Sequence, residues 1–146
     1  MKRTIGLGSV FLIGIFLLAC AGKPAEQIAF PTTCNAGDDG KYVKITGYLN
    51  DDGSVFCSNI GGGRMDCSFS FNEKADGGAK IGAEIEQGSG ANEIEEFGSS
   101  YKKEDLKIHD NSGGMVKVGD KLNLTGKYEA LPDGSHCFLE VDKIEK

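Results

Sequence analysis

After residue 40, hydrophobic and polar side chains alternate along most of the chain with a period of two. Val43, Ile45 and Leu49 fall on one face of a first segment, with Lys44, Thr46 and Tyr48 on the other. Met65, Cys67, Phe69 and Phe71 oppose Asp66, Ser68 and Ser70 in the same way. Ile81, Ala83 and Ile85 define a third segment, Leu106 with Ile108 and Val116 with Val118 two short ones. Leu122 and Leu124 open a run reaching Tyr128, and Cys137, Leu139 and Val141 open the last. Successive side chains of a strand point to opposite faces, so each segment predicts a half-buried strand. Between them lie Asp38-Asp39-Gly40, Asp51-Asp52-Gly53, Gly61-Gly62-Gly63, Asp76-Gly77-Gly78, Gly113-Gly114 and Asp133-Gly134, the residue types that tight turns require. One stretch departs from the period. Asn92 is placed to cap a turn or two of helix through Glu93, Ile94, Glu95, Glu96 and Phe97 before Gly98-Ser99-Ser100 stops it; an irregular crossover is the other reading.

Many short strands with room for at most one short helix predict an all-β domain over residues 41–146, a small barrel of five or more strands. Residues 106–128, with Val118-Gly119-Asp120 leading into Leu122-Asn123-Leu124-Thr125-Gly126-Lys127, followed by Cys137 to Lys146, resemble the second half of bacterial OB-fold domains. In those domains a strand ends at a valine-glycine-aspartate turn, the next strand follows it, and a final strand closes the barrel. The resemblance implies an OB-like barrel.

The amino-terminal end follows a different logic. Lys2 and Arg3 precede an uncharged, largely apolar run from Ile5 to Leu18, then Ala19 and Cys20. That is the layout of an export signal. A spanning helix needs about 20 apolar residues, so this run is better removed than retained. Leu17-Leu18-Ala19-Cys20 resembles the lipobox of bacterial lipoproteins. The resemblance implies cleavage of residues 1–19, lipid on the Cys20 sulfur, and attachment to the cell envelope. Because residue 21 is Ala and not Asp, it also implies the outer membrane where the organism has one. Two or three acyl chains hold a protein in a bilayer essentially permanently, whereas one gives marginal binding. Residues 20–40, polar and carrying Pro24 and Pro31, then read as a flexible tether.

Loss of the signal changes both charge and cysteine count. The chain has 16 Lys and Arg against 22 Asp and Glu; without Lys2 and Arg3 the balance is 14 minus 22, or −8. An acidic surface is repelled by phosphate backbones and anionic headgroups, so nucleic acid is not expected as a partner, and the lipid, not a basic patch, is the expected membrane attachment. The OB barrel's use for oligonucleotides needs a basic groove with exposed aromatics. Here Lys102-Lys103 is the only adjacent basic pair after residue 20. Of five cysteines, Cys20 is taken by lipid, leaving Cys34, Cys57, Cys67 and Cys137 as an even set in an oxidising compartment. Cys57 and Cys67 are symmetric about Gly62, as in a hairpin whose directly opposed residues lie about 4.5 Å apart at Cα, close enough for a disulfide. That favours Cys57 with Cys67 and leaves Cys34 with Cys137.

No residue stands out as catalytic, metal-binding or cofactor-binding. His109-Asp110 lacks an accompanying nucleophile, and adjacent strand residues face opposite ways. The acid-rich turns offer oxygen ligands suited to calcium, but none follows the Asp-x-Asp-x-Asp-Gly pattern. Glu93, Glu95 and Glu96 beside Phe97 and Tyr101 form the candidate partner surface, since acid next to aromatic suits a protein-binding edge. The expectation is a non-enzymatic binding or structural module of the envelope with a protein or small-ligand partner. A small-ligand or cation-binding lipoprotein is the alternative; an unrecognised enzyme or an oligonucleotide binder ranks below both.

Overall fold

The computed structural model describes residues 24–59 and 63–146, so the expected export signal, Cys20 and residues 60–62 lie outside the described residues. In chain order the strands are β1 (Glu26–Gln27), β2 (Tyr42–Asn50), β3 (Phe56–Ser58), β4 (Asp66–Lys74), β5 (Gly77–Glu86), β6 (Ile108–His109), β7 (Met115–Val116), β8 (Lys121–Ala130) and β9 (Cys137–Glu145). The only helical elements among the described residues are two three-residue 3-10 turns, Ala36–Asp38 and Lys103–Asp105.

Five strands close on themselves. β2 runs antiparallel to β4, β4 to β5, β5 parallel to β9, β9 antiparallel to β8, and β8 antiparallel to β2. This is the expected all-β, OB-like barrel: a three-strand meander, a crossover through residues 87–120, and a final hairpin that seals the seam. Closure leaves few strand edges to attract another chain. Val43, Ile45, Leu49, Phe69, Phe71, Ile81, Ile85, Leu122, Leu124, Tyr128, Leu139, Val141 and Ile144 point inward and are buried, as the period of two requires. The Val118-Gly119-Asp120 turn leads directly into β8. Gly119 takes φ +98°, its N–H donates to the Leu49 carbonyl at 2.7 Å, and the Leu49 N–H donates to the Asp120 carbonyl at 3.2 Å, locking the start of β8 onto the end of β2.

Both disulfides join the expected pairs. Cys57 and Cys67 are direct cross-strand partners with Cα atoms 3.9 Å apart. Cys34 and Cys137, 103 residues apart, tie the segment before β2 to the first residue of β9.

Two expectations are corrected and one open alternative is decided. The flexible tether does not extend to residue 40. β1 pairs in parallel with β2, the Ile28 N–H donates to the Lys44 carbonyl at 3.1 Å, and the Phe30 ring lies 5.8 Å from that of Phe71. These residues cover the half of β2 that β4 does not reach. Of the two readings of residues 93–97 the irregular crossover is the one observed, because Ile94 is fully buried and bridges Gln87 on one side and Ile108 on the other. Met65 is exposed and precedes β4; its carbonyl accepts from the Gln87 N–H at 2.7 Å.

Asn92 holds the crossover to the barrel in a way the helix-cap reading missed. It sits at φ +65°, a left-handed conformation that asparagine tolerates better than most residues. Its Oδ1 accepts from the Ile144 N–H of β9 at 2.8 Å. Asn92→Ala should therefore cost about 1–3 kcal/mol, by stranding that backbone donor and straining the turn, and a urea denaturation midpoint unchanged from the parent would refute the assignment.

Candidate functional site

The crossover brings four of the five candidate surface residues together. Glu95, Glu96, Phe97 and Tyr101 line one groove of about 420 Å³ with Glu104, Asp105 and Lys107. Glu93 is turned away, its carboxylate accepting from the Gly90 N–H at 2.5 Å. Phe97 and Tyr101 meet edge to face, ring centroids 4.9 Å apart, an arrangement that aromatic quadrupoles favour. The Tyr101 hydroxyl reaches across to accept the Val55 N–H, which faces the free edge before β3. Tyr101 thus both walls the groove and blocks an exposed strand edge.

Charge in the groove is unevenly spent. Glu95 accepts from Lys107 Nζ at 3.2 Å and lies 3.0 Å from His109 Nε2. These two contacts, His109 first, hold its carboxyl below the usual glutamate range. Glu96 and Glu104 are exposed and make neither hydrogen bonds nor ion pairs among the described residues. Lys103 crosses from the second 3-10 turn to the buried carboxylate of Asp51 at 3.0 Å, pinning the crossover to the loop after β2. On the other side of that turn, Leu106, Met115, Val116 and Val118 with Lys103, Glu104 and Lys117 line a second groove of about 280 Å³.

The two histidines are committed to local structure. His109 faces Glu95 and not Asp110, whose carboxylate is held by the Ser112 N–H, the Ser112 hydroxyl and the Gly114 N–H at 2.7–2.8 Å. Those three bonds, the hydroxyl first, depress the Asp110 carboxyl. In the β8–β9 turn, Asp133 takes both the N–H and the hydroxyl of Ser135, while His136 Nδ1 lies 3.0 Å from the same hydroxyl oxygen. With the hydroxyl donating to the carboxylate, its oxygen can accept from the imidazole.

Two further turn carboxylates are likewise engaged within the chain. Asp52 takes the Ser70 hydroxyl at 2.6 Å and Lys80 Nζ at 2.8 Å; Asp120 takes Lys146 Nζ at 2.7 Å and the Lys117 N–H at 3.0 Å. Among the described residues no three His, Cys, Asp or Glu side chains converge as a metal site would require.

Sequence reasoning missed the Asp51–Lys103 and Tyr101–Val55 links. Their partners are roughly fifty residues apart and carry no local pattern, so only the fold reveals them. No protein-family model, curated protein or solved structure matches the chain.

Proposed function

We propose that this chain is a lipid-anchored, non-enzymatic binding module of the bacterial cell envelope, cut before Cys20 and held in the outer membrane where the organism has one. The observation that carries the reading is the closeness of the barrel to the lipobox cysteine. β1 begins at Glu26, six residues after Cys20, so the connecting chain spans at most about 20 Å at roughly 3.3–3.6 Å per residue. A lipid on Cys20 would hold the barrel near the headgroups, where a distant leash would leave it free to wander. The −8 charge of the processed chain favours lipid over a basic patch as the attachment. In this reading the Glu95, Glu96, Phe97 and Tyr101 groove is the surface offered to an envelope protein.

Cys20→Ser should move the protein from the membrane fraction to the soluble one with both disulfides intact, and mass spectrometry of the amino-terminal peptide should show the acyl chains only in the parent. A Cys20→Ser protein that stays in the membrane fraction would sink the anchor reading. A small-ligand role is the second reading, favoured by the apolar floor of the second groove, which Leu106, Met115, Val116 and Val118 form.

A further inference from the structure

The register of the barrel lines up side chains from distant parts of the chain on the outer face of β3, β4, β5 and β9. Phe56 opposes Ser68, Ser68 opposes Glu84, and Glu84 opposes Glu140. One step along, Asp66 opposes Glu86; one step back, Gly82 opposes Phe138. Alternate residues of the same strands, Cys67, Ala83, Ile85, Leu139 and Val141, fill the core, so this row faces outward.

Two features of the face are unfavourable for a structure with no partner. Phe56 is 70% exposed, the most exposed large hydrophobic residue among those described, and its neighbour Cys57 is bridged to Cys67 of β4, which fixes the backbone that carries it. Glu84 and Glu140, side by side on adjacent strands, have neither a hydrogen bond nor an ion pair among the described residues. Like charges directly opposed in a sheet destabilise it. The nearby cations bond to other acids while still attracting this pair from a distance: Arg64 Nε lies 2.8 Å from Asp66 and its Nη1 3.4 Å from Glu86, and Lys127, directly opposite Glu140 on β8, pairs with Glu129. Burial, then Asp66, Glu140 and Glu129, push the Glu84 carboxyl above its ordinary value.

We propose that this face docks an extended lysine- or arginine-bearing segment of a partner protein, its cation seated between Glu84 and Glu140 and a neighbouring apolar side chain covering Phe56. A guanidinium or ammonium would remove the carboxylate repulsion, and an exposed aromatic adds apolar cover and cation–π attraction. Phe56 and Glu84 are two strand spacings apart, about 10 Å, so one segment laid across the strands spans both. Phosphate-bearing partners are repelled by the same charges. The proposal adds a partner chemistry to the binding reading above and makes no use of the lipid, so failure of either leaves the other testable.

The test uses the full-length chain in non-ionic detergent and a fluorescent peptide of alternating arginine and leucine, with a glutamate-for-arginine peptide as control. The parent should bind the arginine peptide only. Glu84→Gln with Glu140→Gln should weaken binding on the order of tenfold, and Phe56→Ala severalfold. Asp76→Asn with Glu26→Gln, the same change in net charge away from this face, should leave it within about twofold. Stability should move the opposite way to binding. A carboxyl raised in the folded state carries a penalty that is absent below its unfolded value of about 4.5 and complete once pH passes its folded value. The glutamine pair should therefore melt higher than the parent at pH 7, with the gain vanishing below about pH 4.5. No binding by the parent, equal loss in the two charge variants, or a lower melting temperature for the glutamine pair at pH 7 would each overturn the proposal.

Discussion

Replacing Cys34 and Cys137 together with serine should lower the unfolding free energy by about 4–5 kcal/mol, the chain-entropy value for a loop of about a hundred residues. The bridge closes a separation of 103 residues, against 10 for Cys57–Cys67, for which the same treatment gives roughly 2–3 kcal/mol. Geometry makes the long bridge the more consequential for a second reason. Cys34 ties down the segment carrying β1, Ile28 and Phe30, whose hold on the barrel otherwise rests on a two-residue parallel pairing, the Ile28–Lys44 hydrogen bond and the packing of Ile28 and Phe30 against the core. Without the bridge this segment should peel before the barrel opens. The expected results are a melting temperature lower by on the order of 10–20 °C and faster amide exchange at Ile28, whose N–H bonds to Lys44, ahead of exchange at buried positions of β8. Protection at Ile28 equal to the parent's would show that the segment stands without its disulfide.

The barrel was legible wherever side-chain period and burial coincide. Val43 to Leu49, Phe69 with Phe71, Ile81 to Ile85, Leu122 with Leu124, and Leu139 with Val141 alternate because one face of each strand meets the core and the other meets water. β1 was not legible, since two exposed residues in parallel pairing have no period to show and sit among prolines. At 93–97 a short helix and an irregular crossover both stayed open, because glutamates around an isoleucine suit a helix locally. Ile94 gains more from complete burial between Gln87 and Ile108, so tertiary packing overrides propensity. Four candidate surface residues did gather in one groove, since they are neighbours in the chain. The face holding Phe56, Glu84 and Glu140 could not be found that way; its members come from different strands, and only their register makes them neighbours.

The remaining strong expectation concerns a residue that the sequence presents only as part of a Thr-Gly-Lys step. At Gly126 the β8–β9 register shifts: Thr125 opposes Lys143, Gly126 opposes Val141, and Asp142 is left without a partner. Such a bulge sharpens the local twist, and strands that close a small barrel need that bend. The two backbones meet so closely there that a Cβ on residue 126 would fall 1.9 Å from the Glu140 carbonyl oxygen, 2.8 Å from its carbon and 3.0 Å from the Val141 Cα. None of these atoms belongs to a side chain that could rotate away. Gly126→Ala must therefore push β9 off β8 just beyond the Glu84–Glu140 step of the β5–β9 seam, and should cost at least about 3 kcal/mol, at the upper end for overpacking. Gly98→Ala is the matched control, because Gly98 has an ordinary φ and nothing within 4 Å of the added atom; it should change stability by no more than about 0.5 kcal/mol. Urea unfolding of the two variants side by side decides the matter. A Gly126→Ala protein within about 1 kcal/mol of Gly98→Ala would mean that the β8–β9 seam can open without loss, and that the bulge is not what closes this barrel.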